Sequence, residues 1–239
     1  TTLFPASEAG DIEPQSAAGK VVWTSYRISY LNAEIYISNL DGSNAIRLTN
    51  DPSPDEQPSL SPDGNTVVFA SLRSGAHRIW TMGADGSNPT ELATGSSEDL
   101  SESNPRYSPG GGRILFSSPR TNTTQIYVMP AAGGTATQVT HEANGAFDGS
   151  WSSDGNSIFY VDGVDRTRIH EVNVASGVVT DYVIGGTDVG HASCTASACL
   201  VVEGATSSNG NILAYVGAVS DPSSLVITSN NEFDPALVR

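Results

Sequence analysis

Carboxylates recur in short segments that each come just before a strand-like run of the sequence. The segments are Asp11-Ile-Glu13, Asp55-Glu56-Gln57, Glu102-Ser-Asn104, Phe147-Asp148, Asp188-Val-Gly-His191 and Glu232-Phe-Asp234. Four residues stand at the entrance of their run: Glu13, Asp148, His191 and Asp234. Carboxylate oxygens are preferred ligands of Ca²⁺, and an added histidine would suit a transition metal. These residues therefore predict either a bound Ca²⁺ or other divalent cation, or solvated acidic residues that form turns.

Signatures of nucleophilic or metal-dependent hydrolysis are absent from the sequence. It contains no Gly-x-Ser-x-Gly elbow, no His-Glu-x-x-His pair and no phosphate-cradling glycine-rich loop. No cofactor is indicated other than the cation. The sequence thus favours a binding protein over an enzyme, and no catalytic residue is assigned.

The charge balance excludes several kinds of partner. The net charge is −15, and Lys20 is the one lysine among 239 residues. A nucleic-acid-binding protein needs a basic surface, and a bilayer-spanning helix needs about 20 consecutive apolar residues. The sequence offers neither, so it predicts no nucleic-acid partner and no membrane span. Few charges, an acidic composition and two nearby cysteines suggest a secreted or periplasmic protein.

An internal repeat organises the whole chain. Segments such as Glu34-Ile-Tyr-Ile-Ser-Asn-Leu-Asp-Gly-Ser-Asn44 and Arg78-Ile-Trp-Thr-Met-Gly-Ala-Asp-Gly-Ser-Asn88 follow one plan. Their anchoring isoleucines recur 43 to 47 residues apart, at Ile35, Ile79, Ile126, Ile169 and Ile212. A second motif, Pro58-Ser-Leu-Ser-Pro-Asp-Gly64, also recurs in phase with the first. Each repeat holds four short runs rich in Val, Ile, Tyr and Thr, separated by Asp-Gly turns, which is typical of antiparallel strands.

Four-stranded units repeated at this period predict an all-β protein, a β-propeller, because radial stacking buries both faces of each unit. A β-sandwich would also have short strands, but it gives no reason for the repeat. We expect one domain over residues 1–239, with repeats at about 14–57, 58–104, 105–148, 149–190 and 191–234. Five blades are expected, or six if a blade is shared between the termini or with further chain.

The repeat motifs resemble the WD40-like repeats of the TolB-like propeller family. Ser-Pro-Asp-Gly, Ser-x-Arg, Ile-Tyr, Asp-Gly-Ser-Asn and Leu-Thr follow one another in the order of that family, most strongly in the first three repeats. The resemblance implies a platform that captures a protein or peptide at the mouth of its channel. Arg27, Arg73 and Arg120 occupy one repeat position, where we expect them to bind backbone carbonyls or acidic neighbours between blades.

The fifth repeat carries both cysteines of the chain. Cys194 and Cys199 fall where Ser61 and Thr66 flank the hairpin turn of the second repeat. Opposed residues of a hairpin are close enough for a disulfide, which would replace the lost Pro-Asp-Gly turn. A redox-active pair is the alternative, although nothing nearby would lower the pKa of a thiol.

Two functions follow from these features. The first is a non-enzymatic, extracytoplasmic propeller that binds a protein or peptide partner, and its negative charge favours a basic one. The second is a carbohydrate-binding or carbohydrate-active propeller, either a metal-assisted lyase or a glycosidase that uses channel carboxylates.

Overall fold

The computed structural model describes residues 10–96, 100–164, 168–183, 189–194, 198–203, 211–216 and 225–226, and from residue 183 onward it describes the backbone alone. The described strands form five four-stranded antiparallel sheets, each a meander in sequence order. The chain divides into two compact units, residues 1–145 and 146–239. The predicted all-β class is confirmed, whereas the single domain and its repeat boundaries stay predictions.

The first unit contains three sheets. Their strands are β1 Asp11–Ala17, β2 Lys20–Ser29, β3 Asn32–Asn39, β4 Ile46–Arg47, β5 Asp55–Leu60, β6 Thr66–Ser71, β7 Arg78–Gly83, β8 Thr90–Glu91, β9 Ser103–Tyr107, β10 Arg113–Ser118, β11 Gln125–Pro130 and β12 Thr137–Gln138.

The second unit contains two sheets. Their strands are β13 Ala146–Trp151, β14 Ser157–Asp162, β15 Arg168–Asn173, β16 Val179–Val183, β17 Val189–Cys194, β18 Ala198–Glu203, β19 Asn211–Val216 and β20 Leu225–Val226. Within the described ranges, no helix is long and apolar enough to cross a bilayer.

The second strand of each of the first four sheets is apolar at successive positions because both of its faces are buried. In β6, Val67 and Phe69 pack toward the first sheet, in a cluster with Ile35. Val68 lies on the other face and packs toward the third sheet, in a cluster with Phe116. Alternation with period two thus sends neighbouring residues of one strand into two different cores, which explains why these runs are not half polar.

Asp-Gly turns close the hairpins at the edge opposite to the one where first strands begin. In the hairpin between β5 and β6, the Asp63 carboxylate accepts hydrogen bonds from the Ser61 hydroxyl and the Asn65 amide, at 2.5 and 3.1 Å. These hydrogen bonds lower the pKa of Asp63. Asp154 makes the same contacts in the fourth sheet. The turns therefore use their carboxylates as local acceptors, as the Asp-Gly motif predicts.

One residue of each fully described first strand adopts a left-handed backbone conformation. The residues are Glu13, Gln57, Asn104 and Asp148, with φ between 52° and 58°. The register of pairing with the second strand shifts around each of them, as in a β-bulge. The bulge breaks the alternation of side chains, so the residues before it read as a loop in the sequence although they extend the strand.

Neighbouring sheets approach closely at the glycine turns. Gly86 has φ +83°, and a Cβ added there would lie 2.8 Å from the carbonyl oxygen of Leu48 in the first sheet. Gly75 has φ +92° in another turn, where an added Cβ would meet nothing within 4 Å. The two glycines share the left-handed conformation and differ in whether a neighbouring sheet lies against them.

We expect Gly86→Ala to lower the free energy of unfolding more than Gly75→Ala does. The left-handed conformation alone costs an alanine about 1–2 kcal/mol, and Gly86→Ala adds the clash with a backbone carbonyl that cannot rotate away. Urea denaturation of both variants measures the difference. Equal losses would show that the close approach to Leu48 contributes nothing to packing between the sheets.

Candidate functional site

Three arginines at the ends of second strands form the same polar cluster in the first three sheets. We call each cluster an arginine hub: an Arg, the Ser two residues before it, a carboxylate at the start of the first strand, and aromatic rings below. The hubs are Asp11–Ser25–Arg27, Asp55–Ser71–Arg73 and Glu102–Ser118–Arg120.

The hub geometry is nearly identical in the three sheets. The Arg Nε donates to the Ser Oγ at 2.9, 3.0 and 3.1 Å in chain order. The Nη2 atom donates to the carboxylate at 2.7, 2.5 and 2.5 Å. Each guanidinium also lies over a ring of the third strand, 4.4 to 4.8 Å from its centroid, on Tyr36, Trp80 and Tyr127. A planar guanidinium can make all three contacts at once, which an ammonium cannot.

Burial makes the hub carboxylates depend on their arginines. The side chains of Asp55 and Glu102 are fully buried. Burial raises the pKa of Asp55, whereas hydrogen bonding by Ser71 and the charge of Arg73 oppose that rise. A buried carboxylate without its cation would have to protonate or destabilise the fold.

The hubs give these carboxylates and arginines a role that the sequence did not predict. Asp11 and Asp55 are the first residues of β1 and β5, and Glu102 directly precedes β9. Two of the expected contacts to segments between sheets do occur: Arg73 Nε lies 3.8 Å from Asp51, and Arg120 Nη1 donates to the Thr94 carbonyl at 3.2 Å. In addition, each arginine binds the carboxylate of its own sheet. The reason is the antiparallel register, which pairs Asp11 with Ser25 and Asp55 with Ser71.

The fourth sheet has a histidine where the hubs have their aromatic ring. Ala146 pairs with Asp162, so the carboxylate has moved from the first to the second strand. His170 stacks on Tyr160 with ring centroids 5.1 Å apart, and its Nδ1 lies 2.8 Å from an Asp181 oxygen. Its Nε2 lies 3.8 Å from Asp162. His170 thus supplies the cationic group when it is protonated, in addition to the packing role that its position predicts.

Polar atoms at the bulges link one sheet to the next. The backbone N–H of Gln57 donates to the Thr24 hydroxyl at 2.9 Å, and that hydroxyl donates to the Glu13 carboxylate at 3.1 Å. The backbone N–H of Asn104 donates to the side-chain oxygen of Gln57 at 2.8 Å. Gln57 and Asn104 were not among the expected site residues because they are not carboxylates. Their shared position with Glu13 in the repeat was the signal that could have found them.

Three of the four expected cation ligands occupy the same position, the bulge in the first strand of their sheets, and the fourth lies outside the described residues. Glu13 and Asp148 are the bulge residues of β1 and β13, in different units. His191 follows Gly190 in β17, after which the register shifts in the same way, and its side chain lies outside the described part. Asp234 lies outside the described residues. No group of three or more His, Cys, Asp or Glu side chains able to hold a metal ion occurs in the described part of the chain.

The cysteines face each other in the backbone of the fifth sheet. Cys194 and Cys199 are Cα partners in the pairing of β17 with β18. This register is the one a cross-hairpin disulfide needs. Their side chains lie outside the described part, so the disulfide stays a prediction.

At the edge where the first strands begin, some carboxylates have no arginine partner among the residues that the structure describes. We call this edge of the first unit, with Asp11, Glu13, Asp55, Glu56 and Glu102, the first-strand edge. Glu13 accepts from Thr24, and Glu56 accepts from the Tyr26 hydroxyl at 2.6 Å. His77 Nε2 lies 3.5 Å from Glu56. Unlike the hub carboxylates of Asp55 and Glu102, those of Glu13 and Glu56 are partly exposed and can be reached by a partner.

Known proteins resemble this chain in part of its sequence and in its fold. No protein-family model matches the sequence. Over 55 residues, 23% of the chain, the sequence is 42% identical to the Tol-Pal system protein TolB of Bordetella pertussis, of which that segment is 13%. The crystal structure of TolB from Acinetobacter baumannii matches with a TM-score of 0.72 and 20% identity, over 89% of this chain and 53% of that one. The chain has a TolB-like β-propeller fold.

Another solved structure matches at lower sequence identity. The structure of a nidogen/laminin complex matches with a TM-score of 0.68 and 15% identity, over 91% of this chain and 80% of that chain. The TolB-like chain described here spans about half the length of the A. baumannii TolB.

We expect Arg73→Met to lower the free energy of unfolding by about 3–5 kcal/mol, because it leaves the buried Asp55 carboxylate without its cation. Chemical denaturation measures this loss. The double variant Asp55→Asn with Arg73→Met removes both charges and should recover a large part of it. A double variant no more stable than Arg73→Met would contradict the charge pairing in this hub.

Proposed function

We propose that this chain is an extracytoplasmic, secreted or periplasmic, protein-interaction module that binds a basic segment of a partner protein at the mouth of its propeller channel. The observation that carries the proposal is the first-strand edge, where the partly exposed carboxylates of Glu13 and Glu56 lie beside hubs in which each carboxylate is bound to its arginine. Electrostatic complementarity with such a surface favours Lys- and Arg-rich partners. Resemblance to TolB, part of the Tol-Pal system by name, supports both the binding role and the location.

A repeated, rigid surface suits recognition without chemistry. The bulge residues Gln57 and Asn104 present amide side chains at the position that Glu13 has in the first sheet. Hydrogen bonds from sheet to sheet hold their backbone in place, so little ordering is needed when a partner binds. The carbohydrate function and the carbohydrate partner remain the alternative from the sequence.

A charge-swap experiment tests the binding role. The probes are two short synthetic peptides with the same apolar core, one flanked by lysines and one by glutamates. We expect the full chain to bind the lysine-flanked peptide, and the Glu13→Gln, Glu56→Gln variant to bind it several-fold more weakly with a smaller dependence on salt. Glutamine keeps the acceptor atoms for Thr24 and Tyr26, so the fold is preserved.

The matched control is the Asp63→Asn, Asp85→Asn variant, which removes the same charge from turns at the opposite edge. It should bind as the wild type does, in fluorescence anisotropy titrations. Equal weakening by both variants would mean that only net charge matters, and absence of binding to either peptide would refute the proposed function.

The cation is a separate part of the proposal. Glu13, Asp148, His191 and Asp234 would supply oxygen and nitrogen ligands to Ca²⁺ or another divalent ion in the channel. An ion that binds only the folded chain raises its melting temperature. We expect added Ca²⁺ to raise that temperature and EDTA to lower it, with a smaller response in Glu13→Gln. A melting temperature indifferent to both would refute the cation site.

A further inference from the structure

The hairpin between β2 and β3 differs from its counterparts in the other sheets. β2 has ten residues, whereas β6, β10 and β14 have six each. The additional length ends in three large apolar side chains that are mostly exposed: Ile28 at 63%, Tyr30 at 78% and Leu31 at 72%. The corresponding turns carry Ser74 and Gly75 in the second sheet and Thr121 and Asn122 in the third.

Turn chemistry gives no reason for these residues. Ser29 and Asn32 are Cα partners, so Tyr30 and Leu31 are the two central residues of the turn. Two-residue hairpin turns favour Asn-Gly or Asp-Gly, whose small residues tolerate positive φ. A single exposed apolar residue needs no explanation, but three on one projecting hairpin form a patch of the type that marks interaction sites.

The surroundings of the hairpin are negatively charged. Arg27, at its base, is bound to Asp11. Tyr26, next to it, donates to Glu56 of the second sheet, and burial together with Glu56 raises the pKa of Tyr26, so its hydroxyl stays protonated. Asn32 on the other strand donates to the backbone of Asp51, whose carboxylate is partly exposed and lies 3.8 Å from Arg73 Nε. The apolar side chains thus project from the first-strand edge, beside carboxylates.

We propose that Ile28, Tyr30 and Leu31 form a docking tip for an apolar segment of a partner protein that is flanked by Lys or Arg. The proposal rests on the proposed function and names the chemistry of the partner at that edge. A tyrosine with neighbouring aliphatic groups supplies the anchor, and the carboxylates select the flanking charges. A second copy of this chain would bring another net charge of −15, and an anionic lipid surface would also be repelled.

The variant Tyr30→Asn with Leu31→Gly tests the docking tip. Neither Tyr30 nor Leu31 has a positive φ, and Asn-Gly is also at home in two-residue hairpin turns, so the apolar anchor is lost while an unchanged melting temperature shows that the hairpin is retained. We expect the lysine-flanked, apolar peptide to bind this variant at least about tenfold more weakly than the wild type. A third peptide, with lysine flanks and a serine core, should bind both proteins equally weakly.

The control variant is Leu40→Ser, which removes an exposed apolar side chain from a turn at the opposite edge. It should bind as the wild type does. If the Asn-Gly variant binds the apolar peptide as tightly as the wild type, the docking tip is wrong while the proposed function stands. If no peptide binds the wild type, both are wrong.

Two further measurements address other occupants of the tip. Sedimentation velocity at rising protein concentration should show the same monomer for the wild type and the Asn-Gly variant. Neither should bind vesicles of zwitterionic or anionic phospholipid. A dimer, or vesicle binding, that is present in the wild type and lost in the variant would overturn the proposal and assign the tip to a second copy or to a lipid surface.

Discussion

A carboxylate next to a guanidinium, fully buried in the second and third sheets, is the interaction on which each of the first three sheets depends. The start of the first strand, the end of the second and the aromatic ring of the third meet at one arginine, so one side chain fixes three strands. Loss of the cation leaves a desolvated charge, and loss of the carboxylate leaves a desolvated guanidinium. The hub therefore couples strand register to electrostatics, because a shift of one residue would separate the groups.

The bulges follow from the same arrangement and give the first-strand edge its character. Each bulge turns the strand just after the hub carboxylate and frees a backbone amide, as at Gln57 and Asn104. These amides bond to the preceding sheet, so the hubs hold each sheet together while the bulges join neighbours. What remains for a partner is the set of partly exposed groups outside the hubs: Glu13, Glu56 and the projecting hairpin with Tyr30.

The sequence was sufficient for the sheets and insufficient for the roles of the polar residues. The repeat period of 43 to 47 residues and the Asp-Gly turns predicted four strands in each repeat, because both signals are local. The position of Asp55 was misread, because the left-handed residue Gln57 interrupts the alternation by which a strand is recognised. The partner of Arg73 depends on the register across two strands, which spacing alone does not fix. Tyr30 and Leu31 went unremarked, because a turn without Gly or Asn resembles strand in sequence.

The arginine hub also bears on how such a chain can lengthen. Its carboxylate, serine, arginine and ring all belong to one sheet, so copying a repeat copies a neutral group with its counter-charge included. A duplicated unit can join an existing array without first acquiring a compensating residue elsewhere. The surplus of acidic residues is then free to diverge on turns and exposed edges, where the fold does not depend on it. Because each hub contains its own counter-charge, the repeats can be duplicated and the surface charges can change independently of each other.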